Sequence, residues 1–446
     1  MSLGPPLSRA EQTAAGRDRR HAVPRRNLSQ LTTTGRDPLG ILEEQNQTRV
    51  AELVPLRTER MSASPFTFYR GTAALMAADL ARDESSGIAV ASCGDVHVAN
   101  FGLYASPQRD LVFDLNDFDE SAWAPWEWDL KRLVTSVVVA GRATGRDDDV
   151  VGEACLATVR TYARLMTVFV ERSPLARYYE HFDAEGGLGV HDKAGRHVVR
   201  DAIRQARKRT GEQAARKLTQ VDADGRRWFV EAPPAMTHTD AEIKRRAERD
   251  VLEYARTASV DIQLLLQHYS MSDTVRRAVG VGSVGTRCFV TVFQDGDENV
   301  LLLQTKQAGQ SVLAQYGEHR QPQHLNDLID SSGEGARVVA LQRILQGVSD
   351  PFLGHFRNES GDYYVRQFRD MKGGIDIETL DDGPFSLYAQ ACAATLARAH
   401  SQSPNAAAVA GYVGRGEAVA DALLEWSYAY ADVSKADYEA FLAASA

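Results

Sequence analysis

Two short apolar runs, GIAVASCGD (87–95) and LVFDLNDFD (111–119), each end in carboxylates and amides. Together with the GDVHVANFG segment between them they crowd Asp95, Asn100, Asp114, Asn116, Asp117 and Asp119 into a stretch that is otherwise β-branched and half-buried in character. So many acids at neighbouring strand ends are tolerable where a divalent cation and a polyphosphate tail supply the compensating charge. Strand ends are places where a rigid scaffold can present side chains in a cleft.

The rest of the chain reads as a mixture of helices and strands, an α+β pattern. Residues 37–61 (DPLGILEEQNQTRVAELVPLRTERM) have helical apolar spacing, SPFTFYRG (64–71) leads into TAALMAADLARD, and PWEWDLKRLVTSVVVAGRATG (125–145) is an apolar helix that runs into glycines. Residues 147–275 read as mostly helical, broken by GRRWFVEAPP (225–234), a hairpin or capping loop. From residue 278 the pattern changes to two β-rich runs around the turn QDGDEN (294–299), an antiparallel hairpin, followed by helix RVVALQRILQG, strand YYVRQFRDMKG and the Ala-rich helix SLYAQACAATLARAHSQS. This divides the chain into an N-terminal extension (1–60), a region of acidic loops (61–146), a helical region (147–275), a glycine-rich β region (276–384) and C-terminal helices (385–446). Residues 1–37, rich in Arg, Gly, Ser and Thr, are expected to be loosely ordered.

With 446 residues, 43% hydrophobic and 25% charged, the chain has enough apolar material for two or three domain-sized cores. Its four cysteines form no CxxC pair, which suits a reducing cytoplasm and no zinc knuckle. No signal-like start and no apolar run of spanning length occurs, so membrane insertion is not expected. A net charge of −9 argues against nucleic acid as a partner. The basic runs RDRRHAVPRR (17–26) and RQARKRTGEQAARK (204–217) read as an arm and a solvated helix face.

Asp95 and Asn100, five residues apart on a glycine-bracketed loop, suit one acid and one amide pointing into a common site. An aspartate that orients an attacking hydroxyl, beside an amide and a second carboxylate that hold Mg²⁺, is the working set of phosphoryl transfer. Asp117 is the first choice for that second carboxylate, with Asp114 and Asp119 as alternates. Each acid taken singly also fits a capping role: Asp119 and Glu120 could serve the helix of PWEWDLKR, and Asn116 could close a turn. His97 reads as a hydrogen-bonded structural histidine and Asp129 as an anchor behind the loop.

The run VGVGSVGTRCFVTVF (279–293) places Gly280, Gly282 and Gly285 between β residues, and the paired strand LLLQTKQA carries Lys306. Glycines allow close backbone approach to phosphate, and a lysine on the adjacent strand neutralises it. Gly282, Ser283, Gly285 and Lys306 are the candidate nucleotide contacts. A strand rather than a helix follows the glycines, which disfavours a dinucleotide-binding site.

These motifs resemble known ones. CGDVHVANFG is similar to the HGDLHxGN catalytic loop of aminoglycoside phosphotransferases and other small-molecule kinases, NDFDE to their metal-binding segment, and WEWDLKRL to the helix that follows. Over nearly the whole chain, SPFTFYRG, CGDVHVANFG, FDLNDFDE, WEWDLKRL, VGVGSVGTR, SDPFLG, VRQFRDMKG and LARAH resemble a bacterial family catalogued as domain of unknown function 2252. The kinase resemblance implies a two-lobed protein-kinase-like fold with a large helical insertion. It implies ATP and Mg²⁺ as cofactors, Asp95 as catalytic aspartate, Asn100 and Asp117 as metal ligands and Lys306 as nucleotide lysine. Cys93 stands where those enzymes have a histidine. The glycine-rich hairpin follows the acids instead of preceding them, which implies a circular permutation. The helix before the catalytic loop is then either TAALMAADLARD or the LARAH segment. RVVALQRILQG lacks an acid to pair with Lys306, leaving Glu334 or Gln342.

The expected activity is transfer of phosphate to a hydroxyl of a small-molecule or protein acceptor, with the 147–275 stretch shaping its pocket. The alternatives are a nucleotide-binding pseudokinase and, from the Asp-x-His pair in GDVH, a metallophosphoesterase.

Overall fold

The computed structural model describes residues 5–186, 193–278, 280–368 and 370–445; residues 1–4 of the expected arm, 187–192 of the expected helical stretch and Val279 of the glycine-rich run lie outside them. The chain is α+β, with 55% of residues in helices and 15% in strands. Among the described residues no helix is long and apolar enough to cross a membrane.

Among the described residues twelve strands occur in chain order: β1 (Ala89–Ser92), β2 (Phe101–Ala105), β3 (Leu111–Leu115), β4 (Ala122–Pro125), β5 (Thr219–Val221), β6 (Arg227–Phe229), β7 (Met236–His238), β8 (Ser270–Arg277), β9 (Cys288–Gln294), β10 (Val300–Ala308), β11 (Gly354–Asn358) and β12 (Gly361–Gln367). Six of them form one antiparallel sheet in the order β11-β12-β10-β9-β8-β7. The hairpin expected around QDGDEN is β9–β10, paired from Val300↔Gln294 to Lys306↔Cys288.

Strand periodicity orients β10. Side chains alternate between faces, and Leu301 and Leu303 pack with Phe293, Phe356 and Val365 under the Ala241–Thr257 helix. Leu302 packs with Val290, Val292 and Phe368 on the reverse face, which Gln304 and Lys306 share. Lys306 thereby leaves the sheet on the side where the acidic loops lie.

Those loops are carried by a helical body. Its central helix, Trp126–Ala143, is buried over Trp126–Gly141 without a break. It packs against the Asp148–Glu171, Asp382–His400 and Glu417–Ser445 helices. The antiparallel pairs β1–β4 and β2–β3 sit beside this body and hold the loops that carry Asp95 and Asp117.

Two expectations are corrected. The N-terminal segment is not loosely ordered: Arg9–Ala22 is a helix with a Ser8/Glu11 capping box, Glu11 N–H donating to Ser8 Oγ at 3.3 Å. It packs on the Ala406–Val413 helix through small residues. A Cβ added to Gly16 would lie 2.0 Å from the Ala408 carbonyl oxygen, and one added to Gly411 would lie 2.2 Å from that of Thr13. Farther on, Arg36 bridges Asp79 and Asp437, with Nη2 2.8 and 2.6 Å from their carboxylates. Arginine-rich composition concealed this helix because its contact residues are glycine and alanine, which carry little hydrophobic signal. The second correction is that the helical region ends early. The expected break at 225–234 overlaps the second half of the β5–β6 hairpin, but β8 begins at Ser270, where SMSDTVRR pairs with β9 and joins Thr274 to Thr291, hydroxyl to hydroxyl at 3.0 Å.

Replacing Gly16 with Val inserts side-chain atoms where the two backbones touch, and overpacking of this kind costs about 1–3 kcal/mol. Urea denaturation of Gly16→Val should show that loss, and a loss of less than about 0.5 kcal/mol, the ordinary range for surface substitutions, would mean that the contact carries no stability.

Candidate functional site

Strand β1 delivers Cys93, Gly94 and Asp95 to a tight bend. Gly94 has φ +82°, and a Cβ there would lie 2.2 Å from the Glu120 carbonyl oxygen, so glycine lets the two acidic loops touch. The bend is held from behind, as expected, by Asp129 at the start of the central helix. Its two oxygens accept the Cys93 and Gly94 N–H groups at 2.7 and 2.9 Å. His400 Nε2 lies 3.2 Å from the same carboxylate, and Tyr162 Oη is 2.8 Å from His400 Nδ1.

Asn100 and Cys93 set the distance between the loops. The Asn100 amide donates to the carbonyls of Asp95 and Asp117, both at 3.1 Å, and the Cys93 thiol donates to the Asp117 carbonyl at 3.2 Å. With both amide hydrogens used, Asn100 retains only Oδ1, an acceptor that takes no hydrogen bond among the described residues. Cys93 is fully buried, and burial pushes its thiol pKa up, so this thiol is structural. His97 is likewise structural: its Nδ1 accepts the Ala99 N–H at 3.2 Å, and burial depresses its pKa to about 3.

The Asp382–His400 helix lies directly behind the Asp95 loop, so of the two helices left open by sequence the LARAH segment is the one whose end meets Asp129. Tyr388 Oη donates to the Val98 carbonyl at 2.7 Å. Just beyond the helix, Ser403 Oγ accepts the Ala91 N–H at 2.9 Å and Asn405 Nδ2 donates to the Ala89 carbonyl at 3.1 Å.

Three carboxylates of the loops meet cations. Asp95 Oδ1 is 2.7 Å from Nε and 2.5 Å from Nη2 of the buried Arg132. Lys306 Nζ donates to Asp117 Oδ1 and Oδ2 at 3.0 and 3.1 Å and to Asp119 Oδ2 at 2.7 Å. Tyr364, paired across the sheet with Lys306, donates to Asp119 Oδ1, and Arg366 Nη1 donates to the Asn116 carbonyl at 3.0 Å. Neither sequence candidate partners the lysine: Glu334 is bonded to Arg337, and the Gln342 amide donates to Gln346 at 2.9 Å.

Burial works against every charge here, and the pairings decide the outcome. Lys306 is held well above its ordinary pKa despite desolvation, because Asp117 and Asp119 flank it. Against the same desolvation, Lys306 and then Arg366 hold Asp117 below the usual carboxylate range. Burial and the neighbouring Asp117 charge push Asp119 up. The two carboxylates titrate as a pair sharing one lysine. Lys306 is 2% exposed while Asp117 is 41% exposed, so the acid rather than the lysine faces open space.

That space is one cavity of about 910 Å³, whose lining includes both parts of the site: Asp95, Asn100, Asp117 and Asp119 with Gly282, Ser283 and Lys306. The Val281 and Gly282 N–H groups donate to no acceptor among the described residues. Two expected residues are elsewhere. Asp114 is 2% exposed and spends its oxygens on the Gly347 and Leu115 N–H groups at 2.6 and 2.8 Å, so it is a loop staple rather than a metal ligand. Gly285 has φ +92° and packs against the Arg49 side chain outside the cavity lining. Of residues 147–275, expected to shape an acceptor pocket, Arg209 alone among the described residues reaches the wall.

Sequence reasoning found Lys306 but missed the two arginines. Arg132 follows Asp129 by three residues, one turn along the same helix, and Arg366 follows Tyr364 by two, on the same strand face; both spacings were readable. Among the described residues no three His, Cys, Asp or Glu side chains converge into a metal-binding group. The donor set is Asn100 Oδ1 with Asp117 and Asp119. That fits a hard cation which takes one or two carboxylates and completes its shell with water and phosphate oxygens.

The geometry thus defines an α+β protein in which a glycine turn and an acidic loop hydrogen-bonded to a buried lysine line one cavity. The chain belongs to the bacterial family described as "Uncharacterized protein conserved in bacteria (DUF2252)", whose model matches residues 49–444. No curated protein and no solved structure matches it.

Asp129→Ala should cost about 3 kcal/mol, since it leaves two buried N–H groups without their charged acceptor; chemical denaturation measures it, and a loss of less than about 1 kcal/mol would remove Asp129 from its anchoring role. Burial raises the Glu120 carboxyl from its ordinary 4.5 to about 7. Between those values the folded state keeps a proton that the unfolded state has released, so stability falls as pH rises. Glu120→Gln should therefore gain stability relative to wild type from pH 4.5 to 7, and parallel curves would contradict the burial of this group.

Proposed function

We propose that this protein is an ATP- and Mg²⁺-dependent phosphotransferase of protein-kinase-like, circularly permuted fold that phosphorylates a hydroxyl of a small-molecule or protein acceptor. The observation that carries the reading is the single cavity shared by Asp95, Asn100 and Asp117 on one side and Gly282 and Lys306 on the other. Lys306 lies 189 residues from Asp117 in sequence and touches it.

In this reading Gly282 and Ser283 cover the phosphates, and Lys306 leaves the carboxylates to neutralise them. Asn100 Oδ1 and Asp117 hold the metal, with Asp119 beside them. Asp95 orients the acceptor hydroxyl and receives its proton through the oxygen that Arg132 leaves free. ATP supplies the phosphoryl group, and Mg²⁺ neutralises its charge.

Permutation is supported by contacts at the required joint. In unpermuted order the catalytic loop would follow the helix that ends at His400. Ser403 and Asn405, just past that helix, hydrogen-bond to Ala91 and Ala89 at the start of the loop's strand. The two points that such a chain would connect are thus already in contact, and a site requires spatial rather than sequential order.

One feature favours a nucleotide-binding protein without turnover: Arg132 donates from Nε to Asp95 Oδ1 and keeps Nη2 2.5 Å from the same oxygen, which ties down the proposed base. In that case nucleotide binds and no phosphate moves.

Thermal denaturation tests both readings. With Mg·ATP at ~100 times its dissociation constant the wild type should gain roughly 2.7 kcal/mol. Asp117→Asn should lose the Mg²⁺-dependent part and Lys306→Met most of the ATP-dependent part. Full shifts in both variants would overturn the assignment, whereas wild-type shifts with no ATP consumption would select the silent binder.

A further inference from the structure

In SPFTFYRG (64–71) every other residue has a structural task. Ser64 caps the Pro65–Arg70 helix in reciprocal bonds with Thr67, and Pro65 opens it. Phe66, Phe68 and Tyr69 are buried. Tyr69 Oη donates to the Arg132 carbonyl at 2.8 Å, its own carbonyl accepts Arg132 Nη2 at 3.1 Å, and its ring lies 4.7 Å beneath that guanidinium. A Cβ on Gly71 would press on Met61. Arg70 is the exception. Its guanidinium makes no hydrogen bond and no ion pair among the described residues, and its Nε is buried without a partner.

The residue lines the same cavity as Asp95 and Gly282. Its carbonyl oxygen stands 3.4 Å from where a Gly282 Cβ would be, so the helix end abuts the glycine turn. Asp95 attracts it from across the cavity, but Arg132 already occupies that carboxylate. A half-buried arginine with no acceptor is unfavourable unless an anion completes it, and the planar fork of five N–H donors matches phosphate oxygens.

We infer that Arg70 binds the terminal phosphate of the nucleotide, between the glycine turn and Asp95, as a further catalytic residue. This rests on the phosphotransferase reading. During transfer the bond from the γ-phosphorus to the bridging oxygen breaks, and its electron pair stays on ADP. A bond from the acceptor oxygen to phosphorus forms, and the acceptor's proton passes to Asp95. Arg70 remains charged throughout and donates to the non-bridging oxygens, where charge is spread in the transition state.

Calorimetric titration of the full chain with ATP and with ADP, each with Mg²⁺, separates the possibilities. Arg70→Gln should weaken ATP by about tenfold or more, the worth of a charged hydrogen bond, and change ADP by less than about twofold. Arg70→Lys, which keeps the charge without the fork, should fall between, and it gives the same comparison if the glutamine variant does not fold. Equal losses for ATP and ADP, or wild-type affinity for both, would overturn the inference; the latter would assign Arg70 to an anion of the acceptor. A wild-type protein that binds neither nucleotide would overturn the phosphotransferase reading, and this inference with it.

Discussion

Lys306 holds the site together. It is the buried end of a sheet strand, and it reaches two carboxylates, Asp117 and Asp119, that belong to a loop packed on the helical body. Neither side tolerates isolation: a buried ammonium without acid would lose its proton, and paired acids without a cation could not both stay ionised. The contact therefore joins sheet and body and makes the acidic loop possible. In the proposed reading, a polyphosphate with a divalent cation presents the same two kinds of charge and would take over both partners.

A second layer of charge holds the geometry rigid from behind. Asp129 gathers the Cys93 and Gly94 N–H groups and His400, while Arg132, one turn later on the same helix, takes Asp95. Tyr69 then supports Arg132 through its carbonyl, its hydroxyl and its ring. Asp95, Asp117 and Asp119 thus each accept a hydrogen bond from a buried cation, Arg132 or Lys306. Precision of that kind is what positioned proton acceptance and metal binding demand.

Much of this was legible before any coordinates. The β9–β10 hairpin, the central helix and the anchoring task of Asp129 follow from alternation, helical spacing and position relative to the loop. The meeting of the glycine turn with the acids was an expectation that came with the kinase resemblance, in which glycines and a lysine cover the phosphates of a nucleotide held near the acids. What sequence could not convey was how individual polar groups are used. Asp114 and Asp117 sit three residues apart in similar surroundings, yet one is consumed by backbone N–H groups and the other faces the cavity. Backbone demand is invisible until loops such as the one at Gly347 arrive from far along the chain. The helix at Arg9–Ala22 was missed for the opposite reason: its contacts are made by backbone and by glycine, which leave no apolar stripe.

The central claim is that both walls of the cavity serve one bound triphosphate. A crystal structure of the protein with Mg²⁺ and a non-hydrolysable ATP analogue addresses it most directly. The account expects the metal on Asn100 Oδ1 and Asp117, the phosphates beneath Gly282, and Lys306 Nζ moved from Asp119 onto a phosphate oxygen. A nucleotide bound outside this cavity, with Lys306 still on both carboxylates, would contradict it.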